Sequence, residues 1–209
     1  MRKLLIIGLL FFTSTLFAQY PGYTPVTDIT SFQQQFAAAS QKVNSIKSDF
    51  TQVKNLSMLS EKITSKGKFW FKKENMVRME YTQPFQYLMI LNKNDIYIKD
   101  GQKENKISTK SNKLFQQINQ IMVDCVKGTA FSNKDFTVKA FQNNSGYLIE
   151  MSPINKTLKD MFKSINVVVD KKQYSVTSIE MMETSGDNTL IIFTNKELNT
   201  DVPDALFTH

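Results

Sequence analysis

Apolar residues first recur at helical spacing. Ile29, Phe32, Phe36, Ala39 and Val43 follow one another at steps of three or four, with Gln and Ser between them. That stripe predicts an amphipathic helix over about 29–44, with Thr27 or Asp28 available to cap it. Pro21, Gly22 and Pro25 make the stretch before it an extended lead-in. The period then drops to two. Ile46, Ser48, Phe50 and Gln52 alternate with Lys47, Asp49, Thr51 and Val53. Phe69, Phe71 and Lys73 alternate with Lys68, Trp70 and Lys72, and Val77, Met79 and Tyr81 with Met76, Arg78 and Glu80. Such segments are half-buried antiparallel strands with one polar face.

Thr82-Gln83-Pro84 ends this run, and 87–91 and 96–98 read as strands about a turn at 92–95. Helical spacing returns at Leu114, Ile118, Ile121, Met122 and Cys125, with Gly128 placed to terminate the helix. Strands follow at about 135–142, 147–152, 165–169, 176–182 and 189–195. The stretch 153–162 is irregular with room for one helical turn, and 199–209 reads as an extended tail. The total is about ten antiparallel strands and two or three helices in one domain. This is a mainly β (α+β) chain, with a strongly curved sheet and helices on one side.

Composition narrows the chemistry. With 41% hydrophobic and 22% charged residues, the 209-residue chain is neither disordered nor a multi-span membrane protein. One Cys excludes an intramolecular disulfide. The single His is the last residue, which argues against His-dependent triads and His-rich metal sites. Ser185-Gly186-Asp187 and Asp100-Gly101 are turn chemistry. No phosphate-binding glycine loop, CxxC or HExxH occurs, so no metal or other cofactor is expected. Scattered carboxylates could still meet in space. Cys125 lies on the apolar stripe of the second helix and reads as a small buried residue.

The start of the chain changes the setting. Arg2 and Lys3 precede a largely apolar run over 4–17 and then Ala18, the parts of a secretory signal cleaved after Ala18. The run is too short to span a bilayer, which needs roughly 20 residues. Residues 1–18 are thus expected to be a signal peptide and 19–209 the mature domain, with 24 basic and 19 acidic side chains. In an exported protein a net positive charge does not point to nucleic acid. Lys and Glu are interspersed, so an evenly mixed surface accounts for most of it.

The hydrophobic signal is stronger than the polar one. Sixteen Phe and ten Met make soft, bulky apolar faces that can repack around ligands of variable shape. Candidate pocket positions are Phe32 and Phe36 on the first helix, and Leu114, Ile118 and Met122 on the second. From the strands come Phe50, Phe69, Phe71, Val77 and Met79. Full packing of helices on sheet would make these an ordinary core. Helices set as a lid would leave a lipid-sized pocket. Composition leaves both readings open.

The segment Ser45-Ile46-Lys47-Ser48-Asp49-Phe50-Thr51-Gln52 resembles the first-strand motif of the outer-membrane lipoprotein carrier proteins, the LolA family, which ends in Phe-Thr-Gln. Gly67-Lys68-Phe69-Trp70-Phe71-Lys72-Lys73 stands where that family has Gly, a hydrophobic strand and an Arg-Pro step. Met76 to Tyr81 and Thr82-Gln83-Pro84 resemble its aromatic-rich strand and closing Pro. Gly186, Thr189, Phe193, Asn195 and the stretch from Asn199 to Phe207 resemble its C-terminal pattern. Together these cover roughly 28–207.

The resemblance implies an unclosed antiparallel β-barrel with helices as a lid over an apolar cavity, and a non-enzymatic, monomeric periplasmic shuttle. Its partners would be acylated lipoproteins, an inner-membrane lipoprotein-releasing ABC transporter and an outer-membrane acceptor. In the family the Arg of the Arg-Pro step holds the lid through helix carbonyls. Lys73 occupies that place here, on the inward parity of its strand, and Glu74 replaces the Pro. Lysine lacks the planar donor fork, so a weaker latch is expected. Two other readings remain. One is a binder of another acylated product, or a lipoprotein-sensing domain, on the same fold. The other is a hydrolase, which lacks a plausible base.

Overall fold

The computed structural model describes residues 20–93, 95–108, 121, 123–125 and 127–209. The expected signal segment and Leu114, Ile118 and Met122 lie outside these residues. After a short bridge strand β1 (Thr24–Pro25), helix α1 runs over Ile29–Gln41. The Asp28 side chain caps it, accepting from the Ser31 N–H at 2.9 Å. Six strands follow: β2 (Ser45–Leu56), β3 (Glu61–Lys72), β4 (Met76–Gln83), β5 (Tyr87–Asn92), β6 (Asp95–Asp100) and β7 (Lys103–Ser108). A helix α2, described at 121, 123–125 and 127, leads to a 3-10 turn at Ala130–Ser132. Then come β8 (Phe136–Gln142), β9 (Gly146–Pro153), a short α3 (Lys156–Lys159), β10 (Phe162–Asp170), β11 (Val176–Glu183) and β12 (Asn188–Leu198).

All of these strands form one antiparallel sheet of twelve, in the order β1-β8-β9-β10-β11-β12-β2-β3-β4-β5-β6-β7. The sheet does not close, and β1 and β7 are its edges. Consecutive strands are neighbours nearly throughout. Two pairings join strands distant in sequence: β1 lies beside β8 at one edge, and β12 returns to pair with β2 and joins the two wings.

Period-two alternation gives the wings a shared concave face. On the β2–β6 wing, Phe50, Phe69, Phe71, Val77, Met79, Leu91 and Ile96 are buried together with Ile191 of β12 and Val123 of α2. On the β8–β11 wing, Ile149, Met151, Ile165, Val167 and Val169 are buried with Phe32 and Phe36 of α1 and Ile121 and Cys125 of α2. Both helices therefore lie on the concave side.

The sheet has twelve strands where the pattern predicts about ten. The two extra are the two-residue β1 and β7, whose polar Lys103-Glu104-Asn105-Lys106 carries no apolar alternation. For the same reason β3 starts at Glu61, well before its apolar half. The C-terminal tail also departs from expectation. It forms a 3-10 turn at Asp204–Phe207 and packs Val202 and Phe207 onto the convex face against Ile90 and Tyr97. Arg78, outward as its parity predicts, donates to the Leu206 carbonyl at 3.0 Å and lies over the Trp70 ring. The convex face of this wing is thus also covered.

Candidate functional site

The concave face under the helices is the site that the fold builds. α1 presents Phe32 and Phe36 to it, with rings stacked 5.9 Å apart. Phe32 also sits against Tyr147 at 4.1 Å and Phe131 at 5.5 Å. Across the other wing Phe50 meets the edge of Tyr81 at 4.9 Å, and Phe69 meets Phe193 at 5.1 Å. Phe32 and Phe36 thus share a cluster beneath α1, while Phe50, Phe69, Phe71, Val77 and Met79 share the neighbouring one. Phe193 and Met181 pack against both clusters and join them.

Polar contacts tie the helices to the sheet. The turn between β3 and β4 places Glu74 and Asn75 in the left-handed region, at φ 73° and 63°. From this turn Lys73 Nζ donates to the Gln41 carbonyl at 2.9 Å, at the last residue of α1. Asn75 Oδ1 accepts from Lys127 Nζ of α2 at 2.7 Å. One hairpin turn therefore holds both helices. Asn199, also left-handed at φ 58°, donates its amide to the Lys42 carbonyl and accepts from the Asn44 N–H. Lys73 is not inward-facing, as strand parity predicts. β3 ends at Lys72, and Lys73 is an exposed turn residue that reaches the helix end from the rim.

The latch is weak by its chemistry: one hydrogen bond from a flexible, solvent-exposed side chain. Lys73→Met is expected to cost under about 1 kcal/mol of global stability. Amide exchange at Lys42 and Val43, which bond the carbonyls of Ala39 and Ser40, should rise up to about fivefold. Unchanged exchange at both amides would show that Lys73 holds nothing.

Among the described residues little space lies beneath the helices. A crevice between the end of α1 and strands β2, β3, β11 and β12 is lined by Val43, Ile46, Ser48, Phe69, Phe193 and Lys196, with a volume of about 30 Å³. That holds a water or two, against roughly 300–1,000 Å³ for small-molecule sites. A larger depression of about 780 Å³ lies where the chain end meets the β5–β6 turn, and Lys93, Asp95 and Lys106 line it. It is open to solvent, with Ile90, Ile96, Tyr97 and Phe207 in its wall. Among the described residues the apolar concave face is filled by its own side chains.

Cys125 reports on that closure. It is fully buried against the sheet, and burial, with the Asp124 carboxylate adding to it, pushes its thiol up to about 12. The unfolded thiol ionises near 9, so above that pH the unfolded chain holds fewer protons and stability falls as pH rises. The slope from this group is at most about 1.4 kcal/mol per pH unit. Urea midpoints at pH 8, 9 and 10 should fall less steeply in Cys125→Ala than in the wild type. Parallel declines would show that the thiol titrates freely in the folded state.

Sequence reasoning missed Lys127, Asn75 and Asn199 as tethers. Only Asn75 and Asn199 carried a local signal, as asparagines at turn positions. Among the described residues no Cys, His, Asp and Glu side chains cluster in a metal-binding arrangement, and no helix is long and apolar enough to cross a membrane.

The family model for the outer membrane lipoprotein carrier protein LolA matches residues 41–209. The chain belongs to that family. Among solved structures, an uncharacterised conserved protein from Thermus thermophilus is 6% identical with a TM-score of 0.53, over 86% of this chain and 93% of that one. MucB is 11% identical with a TM-score of 0.52, over 88% of this chain and 63% of that one. A LolA superfamily protein from Nitrosomonas europaea is 12% identical with a TM-score of 0.45, over 85% and 97% of the two chains. No curated protein sequence matches the chain. The first two structures share the fold, and the family model carries the assignment.

Proposed function

We propose that this protein is a periplasmic carrier that buries the acyl chains of lipoproteins against its concave face and moves them from the inner to the outer membrane. It acts by binding and not by catalysis. Its partners on this reading are acylated lipoproteins, an inner-membrane lipoprotein-releasing ABC transporter as donor and an outer-membrane acceptor. The observation that carries the reading is the apolar concave face, covered by two helices that one hairpin turn ties down through Lys73 and Asn75. Membership of the carrier family supports it.

The energetics suit a carrier. Each buried CH₂ contributes about 0.8 kcal/mol, so an acyl anchor does not cross water unaided. An open, preformed pocket would keep its cargo. A helix pair that refills the concave face when cargo leaves competes with the ligand for the same surface and lowers net affinity to a releasable level. A weak latch suits that task better than a strong one.

The test uses the mature protein, from Gln19, incubated with spheroplasts holding newly made lipoproteins in the inner membrane. Intact lipoprotein should appear in the soluble fraction bound to the protein. Absence of release, with a small lipid in the native mass spectrum, would replace lipoproteins with another acylated ligand. Absence of both would make the concave face a core and nothing more.

A further inference from the structure

A β-bulge turns one lysine into the apolar crevice. Along β12, Ile191 and Phe193 pack against the concave clusters, so strict alternation would bring Asn195 inside next and leave Lys196 outside. The pairing with β2 slips between Thr194, opposite Asp49, and Glu197, opposite Lys47. Asn195 and Lys196 together therefore face one residue, Ser48. Asn195 takes a left-handed φ of 52° and sends its amide outward to the Asp49 carboxylate at 2.8 Å. Lys196 lands instead among Ile46, Ser48, Phe69 and Phe193 on the crevice wall.

The chemistry there is unusual for a core. Lys196 Nζ donates to Ser175 Oγ at 2.7 Å and to the Val176 carbonyl at 2.9 Å, which uses two of its three protons. Among the described residues no carboxylate lies within ion-pair distance of it. Its burial pulls its pKa down, against a smaller upward pull from Asp170. Ser48 is only 3% exposed, and its hydroxyl has no hydrogen-bond partner among the described residues. An unpaired buried hydroxyl costs about 1–3 kcal/mol. Two donors thus converge in a crevice whose remaining wall is mostly apolar, and its 30 Å³ has room for one small polar group.

We propose that this crevice is a polar subsite for the acyl head of the ligand, in which Lys196 and Ser48 donate to a carbonyl or carboxylate oxygen while the chain runs beneath the displaced helices. The proposal rests on the acyl-binding reading above and names the part of the ligand held at this end of the site. It selects acyl chains with an acceptor head and disfavours cationic ones, since a second positive charge would meet the half-buried Lys196 ammonium.

Titration calorimetry with three twelve-carbon probes below their micellar concentrations tests it: laurate, methyl laurate and dodecyltrimethylammonium. Wild-type protein should bind both acyl probes more tightly than the cation. Lys196→Met should weaken laurate by about tenfold or more and leave the cation unchanged or tighter. Ser48→Ala, a milder change, should weaken laurate and methyl laurate by about threefold or more. Laurate far tighter than its ester would assign a free fatty-acid head, and near-equal affinities an ester carbonyl as in an acylated protein. Wild-type affinities for both acyl probes in both variants, or a cation bound as tightly as laurate by the wild type, would overturn the subsite and leave chain binding intact. Failure of all three probes to bind the wild type would instead overturn the acyl-binding reading beneath it.

Discussion

Gly67→Ala is expected to cost about 3–5 kcal/mol and lower the melting temperature by roughly 10 °C or more. Gly67 lies in β3, opposite Phe50 of β2 and Tyr81 of β4. A Cβ added there would stand 2.2 Å from the Glu80 carbonyl oxygen and 2.7 Å from two atoms of the Phe50 ring. Neither neighbour can yield cheaply. Glu80 is part of the β3–β4 ladder, and Phe50 is 1% exposed and wedged against Tyr81. The strand pairing already slips between Lys66 and Gly67, and the Glu80 carbonyl stands close to the glycine there. Accommodating one methyl group means moving a strand or the ring that floors the concave face. A thermal melt followed by circular dichroism checks this. A melting temperature within about 2 °C of the wild type would mean that β2, β3 and β4 do not meet as described.

Val77→Glu is expected to abolish acyl binding, lowering affinity for an acylated ligand by at least about a hundredfold. Val77 is 3% exposed on the concave face, among Phe71, Met79 and Leu91. Phe71, Met79 and Leu91 offer a carboxylate there no ionic partner, and an uncompensated buried charge costs about 3–5 kcal/mol. The chain can avoid that cost only by holding the helices open or by protonating the acid, and either outcome spoils an apolar floor. Because so large a penalty also threatens folding, Val77→Thr separates the effects. It keeps the shape and adds one hydroxyl, costing about 1–3 kcal/mol when unpaired. It should stay folded by circular dichroism yet bind an acylated peptide at least about fivefold more weakly. A folded Val77→Thr with wild-type affinity would place the ligand elsewhere.

Much of the architecture is written in local periodicity. The stripe through Phe32 and Phe36 predicts α1, and the alternations through Phe69, Phe71, Val77 and Met79 predict the strands that floor the concave face. What escapes local pattern depends on partners distant in sequence. Lys103 to Lys106 of β7 and the start of β3 show no apolar alternation and become strands only because neighbours supply their hydrogen bonds. Lys73 is misplaced by parity because the strand stops one residue earlier, and only the fold brings Gln41 within its reach. Lys196 is the clearest case. It falls just past the strand predicted over 189–195, and the bulge at left-handed Asn195 turns it into the crevice. The tail reads as extended because nothing near it shows the convex groove between Trp70 and Tyr97 that takes Phe207.

On this reading acyl chains, and not the protein part of a ligand, enter the space beneath α1 and α2. Native mass spectrometry of the mature protein with a diacylglyceryl lipopeptide and with the same peptide lacking its acyl chains tests this most directly. A one-to-one complex is expected with the lipopeptide, none with the bare peptide, and loss of the complex in Val77→Glu. Equal binding of both peptides, or no complex with the lipopeptide, would contradict it.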